Sequence, residues 1–288
     1  FEGLSFAGKS APGEFQSGKN QPYALVFPGQ SVENYIASYF VRQTFSQVSS
    51  EAHQSRQNMT PAQIVDKLIA EFNKTPSVGY AVGIYKPGYE EGHAVTPYAI
   101  EQVGNTQIFR IVVYDNNFPG QKRYITVDKA TNKWNYMAAA DPTQSASLYE
   151  GDASTKTLEI NRISLRDMPT GQYFPCRFCS SGQIAAAGVT STTIEVSFSG
   201  EGEILIVDDQ NRRTGYDFEQ GTIVNEIPNS GSTPLKNGLG LNIPPIFQIP
   251  ATLENGKARG LYQVYVSGKT IDSLTNGDLS ISGSGFVM

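Results

Sequence analysis

The sequence predicts an α+β fold in the first part of the chain and an all-β sandwich in the second. Two segments before residue 75 carry apolar side chains at helical spacing, and apolar or alternating runs bounded by turn residues follow them. Beyond Thr190, short runs of the same kind recur roughly every ten residues without a helical pattern. Helices followed by antiparallel strands are typical of the α+β class, and evenly spaced short strands are typical of a sandwich.

Both helices have recognisable starting residues. The first is predicted from Ser31, as the N-cap, to about Ser50. The second is predicted from Thr60 as the N-cap, with Pro61 at the first helical position and Gln63 at the third. Each has an apolar face, and we expect that face to pack in the core.

Strands are predicted after the helices. The runs are Ser77 to Tyr85, His93 to Gln102, Gln107 to Tyr114 and Arg123 to Asp128, and Trp134-Asn135-Tyr136 closes the sheet. The texture of the sequence changes near Leu158, where short strands are predicted at Leu158-Glu159-Ile160 and at Ile163 to Leu165. We place the first domain at residues 1–168, a linker at 169–189 and the sandwich at 190–288.

Composition and charge exclude several classes of function. The net charge of −5 and the absence of a Lys/Arg cluster argue against nucleic-acid binding. No apolar run approaches the roughly 20 residues that a membrane span needs. Low lysine content, many small polar residues and only two cysteines favour a secreted or cell-surface protein. We expect the chain to be a piece of a longer protein.

A histidine and an acidic turn define the candidate site. His93 begins one predicted strand, and Asp115-Asn116-Asn117 ends the next, 22 residues after the histidine. In an antiparallel hairpin of this length the two ends lie side by side, so an Asp or Asn side chain could orient the imidazole. These residue types are two members of a nucleophile, base and orienter triad.

Several stretches together resemble a known family. They are Gly92-His93-Ala94-Val95-Thr96-Pro97-Tyr98, Val113-Tyr114-Asp115-Asn116-Asn117-Phe118-Pro119-Gly120, and Tyr124-Ile125-Thr126-Val127-Asp128 to Trp134-Asn135-Tyr136. This pattern resembles secreted bacterial papain-like cysteine peptidases, closest to the bacteriocin-processing branch and its extracellular relatives. The stretches 205–217 and 224–228 look like the β-sandwich that often follows such a domain. The resemblance therefore implies a papain-like first domain.

The resemblance also implies roles for the candidate residues. In that family the nucleophile is a cysteine in a Gly-x-Cys-x-Gly context at the start of a long helix, where the helix dipole and an imidazolium stabilise the thiolate. His93 would be the base. Asp115 would be its orienter, with Asn116 as the less favoured choice.

The sequence departs from this family in one respect, because neither of its cysteines precedes His93. In one explanation the cysteine lies just upstream of Phe1. In the other, Gly3-Leu4-Ser5-Phe6-Ala7 is a degenerate motif with Ser5 in the cysteine position, and the site is inactive. The first is favoured because Gly8-Lys9 through Phe15 fits better as the segment after the nucleophile helix.

The two cysteines form the stretch Cys176-Arg177-Phe178-Cys179. This is half of a zinc-ribbon spacing, but no second cysteine pair accompanies it. A local disulfide or two free thiols is the plainer interpretation, and a redox-active motif is the alternative. Asp208, Asp209 and Asp217 are interpreted as turn residues rather than calcium ligands. No metal or cofactor is predicted.

Two functions from different classes follow. The first is an extracellular thiol hydrolase that cleaves a peptide or protein substrate, with His93 as base and Asp115 as orienter. The second is a catalytically inactive structural or adhesive protein that uses the fold as a scaffold and binds neighbouring copies in an assembly. A cysteine upstream of Phe1 decides between them, and the question of enzymatic activity stays open at this point.

Overall fold

The computed structural model describes residues 12–20, 24–26, 40–75, 78–89, 91–139, 142–166, 193–200, 202–236, 244–251, 261–268, 276–283 and 286–287. The chain divides into two compact units. The first comprises Phe1–Pro87 and Gly92–Asp167, and the second comprises Gly88–Glu91 and Met168–Met288. The predicted linker at residues 169–189, with Cys176 and Cys179, lies outside the described residues, as do Ser5 and Ser31.

Strands outnumber helices in the described residues. The helices are a single turn at Pro12–Phe15, α1 (Ser46–Asn58) and α2 (Pro61–Phe72), and 3-10 turns span Arg42–Thr44, Pro87–Tyr89 and Ile163–Arg166. The strands of the first unit are β1 (Tyr80–Tyr85), β2 (Gly92–Gln102), β3 (Ile108–Tyr114), β4 (Arg123–Asp128), β5 (Lys133–Ala138), β6 (Ser147–Gly151) and β7 (Leu158–Arg162). Those of the second are β8 (Thr193–Phe198), β9 (Glu203–Val207), β10 (Arg213–Asp217), β11 (Thr222–Asn225), β12 (Gly231–Thr233), β13 (Ile246–Pro250), β14 (Gln263–Ser267), β15 (Leu279–Gly283) and β16 (Phe286–Val287). None of the described helices is long and apolar enough to cross a membrane.

The predicted α+β class, with a papain-like first domain, is wrong. The fold is β-rich, and among the described residues only α1 and α2 exceed a single helical turn. Nothing in the architecture identifies a papain-like domain. The prediction failed because strand β6 at Ser147–Gly151 was not predicted, and Ile163–Arg166 is a 3-10 turn rather than a strand. Periodicity gives the type of a segment but not how many strands join one sheet.

The first unit is built on a seven-stranded antiparallel sheet with the order β6-β5-β4-β3-β2-β1-β7. Helix α2 packs against β2 and β4, and its Ile64, Val65 and Leu68 are fully buried. The opposed pair Ile111 and Ile125, on β3 and β4, is fully buried as well. Residues of β6 also come close to β1, so the sheet curls along its width.

Helix α1 closes the open edge of the sheet at β7. The hydroxyl of Ser55 accepts the N–H of Ile160 at 2.9 Å and donates to the carbonyl of the same residue at 2.9 Å. The carboxylate of Glu51 accepts the backbone N–H of Arg162. These bonds replace the neighbouring strand that an edge strand lacks, which blocks pairing with another chain at these positions.

The start predicted for α2 is confirmed. The hydroxyl of Thr60 accepts the N–H of Gln63, the Gln63 side chain accepts the N–H of Thr60, and Pro61 is the first residue of the helix. The helix predicted to end near Ser50 is wrong in its described part, because a 3-10 turn at Arg42–Thr44 and the extended Phe45 interrupt it. Helix α1 begins only at Ser46 and continues to Asn58. Its later turns bury polar side chains through specific bonds, and a search for apolar periodicity misses such a face.

The second unit contains two antiparallel sheets, with the orders β11-β10-β9-β14 and β12-β13-β8-β15-β16. Buried residues from both sheets form one hydrophobic core, made of Val196, Ile204, Ile206, Ile227, Phe247 and Ile249. The interpretation of Asp208, Asp209 and Asp217 as turn residues is confirmed, and Asp209 lies in the turn after β9. Asp208 accepts the N–H groups of Gln210 and Arg212, and Asp217 accepts that of Glu219.

Candidate functional site

The candidate site lies at one end of the seven-stranded sheet. His93 is the second residue of β2, and Asp115 directly follows β3. Because Thr96 pairs with Tyr114 in the β2–β3 ladder, the start of β2 lies beside the end of β3. Tyr136, on β5, approaches the same point from farther across the sheet.

The three side chains form one hydrogen-bonded group. His93 Nε2 lies 3.0 Å from Asp115 Oδ2, and the Tyr136 hydroxyl donates to the same oxygen at 2.5 Å. The other carboxylate oxygen, Oδ1, accepts the N–H of Asn117 at 2.9 Å. His93, Asp115 and Tyr136 are 6%, 1% and 1% exposed, so the group is shielded from solvent.

The loop after β3 is fixed by its own hydrogen bonds. The contact between Asp115 Oδ1 and the N–H two residues later forms an Asx turn. The side-chain amide of Asn117 donates to the carbonyl of Ala139, which ties the loop to the end of β5. Gly120 has a φ of 73°, a left-handed conformation that glycine adopts without steric cost. The carboxylate is therefore presented by a rigid turn.

Electrostatics hold the carboxyl charged and the phenol neutral. Burial on its own raises the pKa of Asp115, but the hydrogen bond and charge of His93, together with bonds from Tyr136 and Asn117, outweigh it and lower the pKa. Burial, with the adjacent negative charge and hydrogen bond of Asp115, raises the pKa of Tyr136 well above its usual range. At neutral pH Asp115 is thus an acceptor and Tyr136 a donor.

Comparison with protein-family models, curated proteins and solved structures finds no match. The chemistry of the site is therefore inferred from the geometry of its own side chains. Since Asp115 is ionised and accepts from Nε2, a neutral His93 carries its proton on Nε2 and has its lone pair on Nδ1. Nδ1 has no hydrogen-bond partner in the part of the chain that the structure describes.

The structure brings two of the three predicted residues together. His93 and Asp115 are in direct contact, whereas Asn116 is exposed and its side-chain amide donates to Asn117 instead. The residue in contact with the imidazole is therefore Asp115 and not Asn116. The two cysteines of the sequence lie outside the described residues.

Sequence reasoning missed the roles of Tyr136 and Arg123. Tyr136 was expected only to close the sheet, although β5 alternates exposed and buried residues and places this tyrosine inward. The guanidinium of Arg123 lies 4.0 Å from the ring centre of Phe118 and 5.5 Å from that of Tyr136, and it donates to the carbonyl of Met137. These contacts join residues of different segments, so no local sequence pattern predicts them.

No metal site emerges from the described residues, which contain no group of three or more His, Cys, Asp or Glu side chains placed to hold an ion. Proton transfer at this site would occur at His93 Nδ1, which has no hydrogen-bond partner among the described residues. The imidazolium formed in that transfer would face the carboxylate of Asp115 at 3.0 Å. This arrangement suits a general base that later acts as a general acid.

Proposed function

We propose that the chain supplies the base and the orienter of an extracellular thiol hydrolase that cleaves a peptide or amide bond. The observation that carries the proposal is the hydrogen bonding of one imidazole: Nε2 is bound to buried, ionised Asp115, and Nδ1 has no hydrogen-bond partner among the described residues. The nucleophile of the proposal is a cysteine upstream of Phe1. The localisation and the peptide or protein substrate belong to the same proposal.

The proposed reaction moves one proton through His93. Nδ1 takes the proton of the cysteine thiol, and the thiolate attacks the carbonyl carbon of the substrate. The leaving amine then takes that proton from the imidazolium, and a thioester forms. Water, deprotonated by Nδ1, hydrolyses the thioester and restores the thiol. Asp115 stays ionised throughout, because its pKa is lowered by the bonds it accepts.

The proposal is tested by turnover of peptide substrates by the full-length protein. General acid–base catalysis contributes about 10²- to 10⁴-fold in rate, so His93→Ala should lower kcat by about that factor. His53→Ala is the matched control, because His53 is the other histidine of the chain and lies exposed on α1. We expect the control to retain wild-type turnover. Equal turnover by the wild-type protein and by His93→Ala would refute the proposal.

A second candidate function is a structural scaffold that binds neighbouring copies of the chain. Large apolar side chains are exposed on the first sheet, among them Tyr98 at 56%, Met137 at 45% and Leu148 at 47%. Met137 and Leu148 pair directly across β5 and β6, so they share a face. Contiguous exposed apolar surface is typical of protein interfaces. A preparation that associates through this face and hydrolyses no peptide, with or without His93, would favour the scaffold.

A further inference from the structure

Tyr136 is one of two donors that share a single carboxylate oxygen. Its hydroxyl lies 2.5 Å from Asp115 Oδ2, and His93 Nε2 lies 3.0 Å from the same atom. Tyr136 and Asp115 are each 1% exposed, so water does not compete for this oxygen. In such a dry environment a charge-assisted hydrogen bond is stronger than in water.

The two ends of the carboxylate are held by different elements. Oδ1 is bound by the N–H of Asn117 within the loop, and Oδ2 is bound by the Tyr136 hydroxyl from β5. The carboxylate cannot rotate about its Cβ–Cγ bond without breaking one of these bonds. Without the hydroxyl, the imidazole alone would hold Oδ2.

We propose that Tyr136 is a positioning residue, which fixes Asp115 so that the Nε2–H of His93 stays bound and Nδ1 stays presented to the reacting group. This inference rests on the proposed hydrolase function, since it assigns Tyr136 a part in orienting the base. Tyr136 acts only through Asp115.

The surroundings of Tyr136 fit a fixed donor. Its ring lies 5.5 Å from the guanidinium of Arg123, which also stacks on Phe118 and donates to the carbonyl of Met137. Burial and the charge of Asp115 raise the pKa of the phenol, so it remains protonated at neutral pH. A protonated phenol donates to the carboxylate, whereas a phenolate would repel it.

The test compares Tyr136→Phe with Tyr149→Phe. Tyr149 is fully buried and pairs directly with Tyr136 across β5 and β6, but it makes no hydrogen bond with Asp115. Each variant loses one buried hydroxyl and retains its ring. The readouts are the exchange of the His93 Nε2–H with water, followed by NMR of 15N-labelled histidine, and the kcat and KM of peptide hydrolysis.

For Tyr136→Phe we expect Nε2–H exchange at least about tenfold faster and kcat lowered about tenfold or more, with KM within about twofold of wild type. Tyr149→Phe should match wild type in all three. If Tyr136→Phe does not fold, 4-aminophenylalanine at position 136 supplies an N–H donor at the same place. It should give wild-type exchange, and faster exchange in that protein would overturn the inference.

The outcomes separate this inference from the proposed function. Wild-type exchange and kcat in Tyr136→Phe, with turnover still lost in His93→Ala, would overturn the positioning role and leave the hydrolase proposal intact. Faster exchange in Tyr136→Phe, with no effect of His93→Ala on hydrolysis, would support the contact between Tyr136 and the Asp115–His93 pair. That result would reject the hydrolase.

Discussion

Individual residues at the end of the sheet set the charge of the site. Asp115 is buried and yet ionised, because one imidazole, one phenol and one backbone N–H donate to its two oxygens. The bonds that fix the imidazole therefore also stabilise the folded state. A charged side chain in such a place is stable only while its partners remain.

Acid should weaken this stabilisation in a defined direction. The pKa of Asp115 in the folded state is below its ordinary value of 3.8, so the unfolded state binds the proton first as the pH falls. The stability that ionised Asp115 contributes is thus fully present above about pH 4 and is lost as the pH falls through the folded-state pKa. We expect Asp115→Asn to be less stable than wild type by about 2 kcal/mol at neutral pH, with the difference shrinking below pH 4.

Urea unfolding at a series of pH values measures that difference. Asn116→Ala is the matched control, because it alters the same loop without removing a titratable group. Its difference from wild type should stay constant with pH. A difference for Asp115→Asn that is independent of pH, or that grows in acid, would contradict the account of the carboxyl.

How well each helix could be predicted from the sequence depends on whether its contacts are made by residues close together in the chain. The start of helix α2 was predicted correctly, because the residues that define it, Thr60, Pro61 and Gln63, lie within one helical turn. The part of helix α1 after Ser50 was not predicted, because its last turns bury Ser55 and Arg56 against β7 residues more than 100 positions away. Because distant partners bury these polar side chains, the sequence shows no helical repeat of apolar residues at this point.

The contact between helix α1 and the edge strand β7 can be tested by substitution. Replacing Ser55 by Ala leaves the buried N–H of Ile160 without its acceptor, which costs about 1–3 kcal/mol, offset in part by the better helix propensity of alanine. Ser50→Ala is the matched control, since Ser50 is an exposed serine of the same helix. We expect a lower free energy of unfolding for Ser55→Ala only, measured by chemical denaturation. Equal stability of the two variants would show that α1 does not seal the sheet edge through this hydroxyl.

At the scale of the whole molecule, the sequence predicted the residue pair at the site better than the fold class. His93 and Asp115 could be paired because a single hairpin joins them. Tyr136 could not be added, because β4 lies between its strand and the strand that Asp115 follows. The number of strands in the first sheet was underestimated because β6 was not predicted and because β7 pairs with β1, which lies far earlier in the chain.

We propose that His93 is held through Nε2 and offers Nδ1 as the base. The most direct measurement is the tautomer of the neutral His93 ring, read from the 15N chemical shifts of the imidazole with His53→Ala removing the other histidine signal. We predict a single tautomer with the proton on Nε2. A proton on Nδ1, or rapid averaging between the two tautomers, would contradict the account.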